Sequence, residues 1–142
     1  MTARSGHDPA SSEVMDSLVR VSFTVIALLS QAAAAHDLSL TQLRVLAILR
    51  DREPKMAELA AYLGLDRSSV SGLIDRAAGR GLVRRDISSD DGRAIRVSLT
   101  PDGRRLAHLL TDEIGGLIRP VTGNLSPADR KRLSVLLNRL ID

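Results

Sequence analysis

The chain has 142 residues, 44% of them apolar and 26% charged, which suits one domain or two small lobes sharing a core that needs no disulfide or metal staple. It has no cysteine, which excludes thiolate chemistry, disulfide frameworks and cysteine-type zinc sites, and its two aromatic residues, Phe23 and Tyr62, are too few for a stacking platform for single strands. The net charge of +3 is unevenly spread: residues 67–105 hold nine arginines against five aspartates, and arginine outnumbers lysine 18 to 2 overall, a composition suited to phosphates and guanine edges as well as to an ordinary solvated face.

Residues 1–12 are polar, hold Gly6 and Pro9, and read as a disordered tail without the apolar stretch of a signal peptide. No uninterrupted apolar run is long enough to span a membrane, so a cytoplasmic protein is the expectation. Residues 13–36 read as one long helix: Val14, Leu18, Val21, Val25, Leu28, Ala32 and Ala35 recur at alternating spacings of four and three. Val19, Phe23, Ile26, Leu29 and Ala33 form a second stripe. A helix apolar on two faces needs two partners, either a second subunit or the centre of a monomer. Ser39 and Gln42 form a capping box that opens a helix to about Arg50, with Leu43, Leu46 and Ala47 inward.

Met56 to Leu63 form the next helix, with Met56, Leu59, Ala60 and Leu63 inward, and Gly64 suits the left-handed position after it. Asp66 caps a helix from Arg67 to about Arg80 that buries Val70, Leu73, Ile74 and Ala77. Two short helices joined through Leu63-Gly64-Leu65-Asp66 make a helix-turn-helix pattern. The outward face of the second helix carries Arg67, Ser68, Ser69, Ser71, Gly72, Asp75 and Arg76, small, hydrogen-bonding or cationic residues that suit close approach to a major groove as well as an ordinary solvent face. A hairpin follows: a strand over Leu82-Val83-Arg84-Arg85, a turn cluster Ser88–Gly92, and an alternating strand from Arg93 to Leu99 with Ile95, Val97 and Leu99 on one face and Ala94, Arg96 and Ser98 on the other. A helix-turn-helix followed by a charged hairpin is a winged helix. Asp91 and Arg93 stand two residues apart at its tip, on one face.

Thr100-Pro101 starts a helix burying Leu106, Leu109, Leu110, Ile114, Leu117 and Ile118, which Gly115-Gly116 weakens and Pro120 bends or ends. Ser126-Pro127 starts the last helix, apolar at Leu133, Leu136, Leu137, Leu140 and Ile141. These terminal helices carry more apolar surface than one small lobe covers, which points to a dimer interface.

The order of elements, and above all Asp91-Gly92-Arg93-Ala94-Ile95-Arg96-Val97-Ser98-Leu99-Thr100-Pro101-Asp102-Gly103, resembles the MarR family of bacterial transcription regulators: an Asp-x-Arg wing, an alternating strand, then Leu-Thr-x-x-Gly. Leu63 to Ser71 and Gly81 to Arg85 are similar to the family's recognition-helix region and the strand after it, and the likeness extends over about residues 13–141. It implies a fold that is mainly α with a small β-hairpin wing: a winged helix-turn-helix lobe, residues 37–105, flanked by dimerisation helices at 13–36 and 106–142. It implies a homodimer on a pseudo-palindromic operator in double-stranded DNA, contacted through Arg67, Ser68, Ser69, Ser71, Arg76, Arg84, Arg85, Arg93 and Arg96. The helix from Arg67 would enter the major groove, and Arg93, oriented by Asp91, the minor groove. A repressor relieved by a small ligand is the implied mode, with Phe23 near the inducer pocket. Two departures stand out: Ala77-Ala78 where the family often has leucine and an acid, and Lys55 where a Ser or Thr cap is common.

No cofactor or metal is expected. His108 and Asp112 share a helix face and His36 ends the first helix, a thin set for a metal. No Ser/His/Asp constellation or phosphate-binding glycine loop supports an enzyme. A winged helix used only for protein contacts is the alternative, and clustered arginine on both recognition helix and wing argues against it.

Overall fold

A computed structural model describes residues 8–90 and 92–142. The described residues form six α-helices, a 3₁₀ turn and a two-stranded sheet: α1 (Pro9–Ala34), α2 (Leu40–Asp51), α3 (Met56–Leu63), α4 (Arg67–Gly79), β1 (Val83–Ile87), β2 (Ile95–Leu99), α5 (Pro101–Ile118), the 3₁₀ turn Arg119–Thr122 and α6 (Pro127–Ile141). The mainly helical fold with a hairpin wing is as the sequence implies.

The first helix begins earlier than expected, so Pro9 to Ser12 are helical and not tail. The Asp8 carboxylate accepts from the Ala10 amide at 3.2 Å and Pro9 occupies the first helical position, a start signal read only as polar composition. By length and composition α1 is also able to cross a membrane, with an 18-residue window of mean hydropathy 1.5, which a count of consecutive apolar residues does not register. In this fold its C-terminal Ala32 and Ala33 enter the core, and it packs along α5 and α2.

The caps behave as the residues dictate. The Ser39 hydroxyl accepts from the Gln42 amide at 3.1 Å while the Gln42 side chain accepts from the Ser39 amide at 2.9 Å. Gly64, at φ +66°, closes α3 with the Leu65 amide donating back to the Ala60 carbonyl. All four inward positions expected on α4 are buried. On α2 the expectation for Ala47 fails: Val45 and Leu49 are buried with Leu43 and Leu46, and Ala47 is exposed. The buried arc of α2 is turned toward α1, α5 and β2, and Ala47 falls outside it.

The hairpin pairs Val83 with Leu99 through Ile87 with Ile95. Its second strand starts at Ile95, and the first runs two residues beyond Arg85. The Val97 amide donates to the Pro54 carbonyl at 2.9 Å and Lys55 bridges to Arg96, so the α2–α3 connection lies along the outer edge of β2. Val97 and Leu99 are buried as alternation requires. Ser98 is buried too and Ile95 is exposed, because α2, α3 and α5 cover the base of β2 while its other end projects in the wing.

Thr100 caps α5 by accepting from the Gly103 amide at 3.0 Å. Gly103, Ala107 and Leu110 are buried and Leu109 is exposed, contrary to expectation, and α5 runs through Gly115 and Gly116 without a break. The chain then turns at Pro120 into α6, which Ser126 caps at the Asp129 amide. The core centres on Leu49, Leu59, Val70, Ile74, Val97 and Leu110. Outside it, α1 and α6 expose large apolar side chains, from Leu18 at 38% to Ile141 at 82%.

Candidate nucleic-acid interface

The helix-turn-helix and the wing enclose an open groove of about 520 Å³. Its walls are the start of α3 (Lys55, Met56, Ala57), the first turns of α4 (Arg67, Ser68, Ser71) and the wing (Arg93, Ala94, Ile95). Three cations, Lys55, Arg67 and Arg93, therefore line one groove together with Ser68 and Ser71.

Local chemistry sets the entry of α4. The Asp66 carboxylate accepts from the Ser69 amide at 2.7 Å and from the Ser68 hydroxyl at 2.8 Å. These bonds, the Ser69 amide foremost, hold the Asp66 carboxyl below its ordinary value. Ser68 thus spends its proton on the cap, whereas Ser71, one turn on, faces the groove. Arg76 is exposed farther along α4, with its guanidinium over Gly72.

The remaining arginines divide by what they touch. Arg84 is exposed and pairs loosely with Asp86 at 3.5 Å, a contact of small energetic weight. Arg85 is ion-paired with Asp75, tying the first wing strand to the middle of α4. Arg96 donates to the Glu53 carbonyl at 2.6 Å and reaches the Asp90 carboxylate at 3.4 Å. Its guanidinium clasps the base of the wing to the α2–α3 connection, so the structure gives it an anchoring place that sequence reading did not foresee. Asp91, expected to orient Arg93, lies outside the described residues.

The comparisons with known proteins point to the same winged-helix fold. Residues 36–94 match the MarR family model. The chain is 28% identical over 117 residues, 82% of its own length and 74% of the relative's, to the transcriptional repressor NicR of Pseudomonas putida. It is 32% identical over 71 residues to the regulator YfiV of Bacillus subtilis, a stretch covering 49% of this chain and 44% of that one. Among solved structures, BpsR of Bordetella bronchiseptica, whose DNA binding is regulated by 6-hydroxynicotinic acid, superposes with a TM-score of 0.74 at 28% identity, over 92% of this chain and 99% of that one.

Over its winged-helix lobe the chain is similar to the MarR family of transcription regulators.

Sequence reading missed Lys55, which lines the groove. It was noted only as a poor cap, and it has no side-chain acceptor for the α3 amides; Glu58 instead accepts from its backbone amide at 3.1 Å. The uncapped position is what leaves a lysine at the groove's edge, and that mismatch was the available signal. Phe23 stands 69% exposed on α1 in the single protomer. His36 is not gathered with His108 and Asp112: its Nε2 meets the Glu113 carboxylate at 2.8 Å, and among the described residues no group of three metal-ligating side chains comes together.

Proposed function

We propose that this chain is a MarR-family regulator that acts in the cytoplasm as a homodimeric, sequence-specific DNA-binding repressor that a small ligand releases. The observation that carries the DNA-binding part is the groove between recognition helix and wing, with Lys55, Arg67 and Arg93 on its walls and Ser71 inside it. Cations there neutralise phosphates, and a small hydroxyl side chain lets the backbone of α4 approach base edges. Arg93, at the wing tip, reaches a minor groove beside the major groove that α4 enters, where it senses width and negative potential.

The dimer is supported by the apolar faces of α1 and α6, which one chain leaves uncovered. Repression and ligand release are supported by the likeness to NicR and to BpsR. An inducer pocket near Phe23 would form between the dimerisation helices and the winged-helix lobe of the assembled dimer.

Selection of bound sites from random duplex DNA, followed by salt titration on the winning site, tests the reading. The expected outcome is a pseudo-palindrome. With about 6–10 phosphate contacts per dimer, affinity should fall roughly 10³–10⁵-fold between about 50 and 200 mM salt. No enriched site, or a salt-independent affinity, refutes it and favours a module for protein contacts.

A further inference from the structure

The recognition helix meets the end of the first helix through Arg80, a residue that neither the wing signature nor the groove uses. Arg80 is the C-cap of α4. Its two terminal nitrogens donate to two consecutive backbone carbonyls beyond the end of α1: Nη1 to Asp37 at 3.1 Å and Nη2 to His36 at 3.0 Å.

Those carbonyls are presented by a special turn. Asp37 has φ +55°, the one non-glycine residue with a positive φ among the described residues. The Leu38 amide returns to the Ala33 carbonyl at 2.9 Å, which locks the turn onto the last turn of α1. The same turn is tied to α5 from its other side, since the His36 ring donates to the Glu113 carboxylate at 2.8 Å. A left-handed conformation at a non-glycine residue is costly and persists where the surroundings over-determine it. Here the surroundings are Arg80 on one side and Glu113 on the other. The apolar face of α4 packs mainly on α3 and β1, within its own lobe. The Arg80 fork connects that lobe's reading helix to the helices of the proposed dimer interface.

We propose that Arg80 is a positioning residue that sets which half-site spacing the dimer accepts. The inference rests on the reading of the protein as a dimer on a two-fold operator. The two recognition helices of such a dimer must stand at a separation and angle matching their half-sites. Altering the operator centre by one base pair moves a half-site by about 3.4 Å along the axis and turns it about the duplex. A planar guanidinium holding two adjacent carbonyls fixes direction as well as distance, and a lysine ammonium does not.

The experiment compares the wild-type dimer with R80A and R80K on the selected operator and on versions with one base pair added or removed at its centre. Wild type should prefer its own spacing by about 10–100-fold, the scale of a mismatch. R80A should bind all three within roughly threefold of one another, at an affinity on the native spacing lowered about tenfold because fewer molecules stand in the competent arrangement. R80K, with the charge but not the fork, should remain closer to R80A. The salt slope separates this role from a phosphate contact: R80A should keep the wild-type slope, whereas R67A should lower it by about one per neutralised phosphate. A wild-type dimer without spacing preference, an R80A dimer that keeps it, or a reduced salt slope in R80A each overturns the inference. Failure of wild type to bind any duplex overturns the functional reading beneath it instead.

Discussion

Single side chains in the groove have separable duties. Ser68 and Ser71 both line it, but the Ser68 hydroxyl is committed to Asp66. Ser71→Ala should therefore shift base preference at one half-site position, costing about 1–3 kcal/mol at the preferred base, and Ser68→Ala should leave the selected-site logo unchanged. A logo from Ser71→Ala identical to wild type would show that Ser71 does not read sequence. Arg93→Ala should weaken every operator, most on those whose flanks are A·T-rich with a narrow minor groove. Asp91→Ala should act in the same direction but less, because the cation survives. Titration against operators differing only in their flanks measures both. Arg96, expected from its sequence position to be a DNA contact, instead anchors the wing through the Glu53 carbonyl and the Asp90 carboxylate.

At the scale of elements, the glycine of the Leu-Thr-x-x-Gly signature has a steric explanation. A Cβ on Gly103 would collide with the Leu82 carbonyl, whose oxygen also accepts from the Thr100 amide at 3.0 Å. Gly103 lets the start of α5 press against the entry to β1, which holds the wing and α5 in one unit. Gly103→Ala should destabilise the protein by about 1–3 kcal/mol, the usual range for forcing volume into a packed site, seen as a lower midpoint in urea. An unchanged midpoint would mean that α5 can shift freely. The Asp66 cap gives α4 an acid dependence. Its carboxyl is lowered in the folded state by the Ser69 amide and Ser68 hydroxyl, so its contribution is present above the ordinary carboxylate range and fades as pH falls through the lowered folded value. The loss of stability on acidification should be smaller in Asp66→Asn than in wild type.

Across the whole molecule, the exposed stripes of α1 and α6 are the dominant unpaired feature. Phe23 at 69%, Leu140 at 61% and Ile141 at 82% exposure are not positions a monomer leaves in water as a set. An obligate pair through these helices should bury more than about 2,000 Å². Sedimentation equilibrium should give the dimer mass at micromolar concentration, and a folded monomer there would defeat the dimer. Because the same pair would set the separation of two recognition helices, weakening it should reduce operator affinity without changing the half-site sequence preferred.

Much of this was legible in the residues because it is local. Capping chemistry at Ser39, Asp66, Thr100 and Ser126, the left-handed glycine at Gly64 and the inward stripe of α4 depend on neighbours within about one helical turn, and each is as expected. The wing's position in the chain was legible for the same reason. Burial on α2 and α5 was not, because Ala47 and Leu109 have the right polarity for a core and only the placement of neighbouring helices decides which arc is covered. The duties of the arginines were equally hidden. Arg80, Arg85 and Arg96 have the same side chain as Arg67, yet they meet His36 and Asp37, Asp75, and Glu53 with Asp90. A guanidinium carries the same five donors wherever it stands, and only tertiary structure decides whether backbone, carboxylate or an open groove lies in front of it.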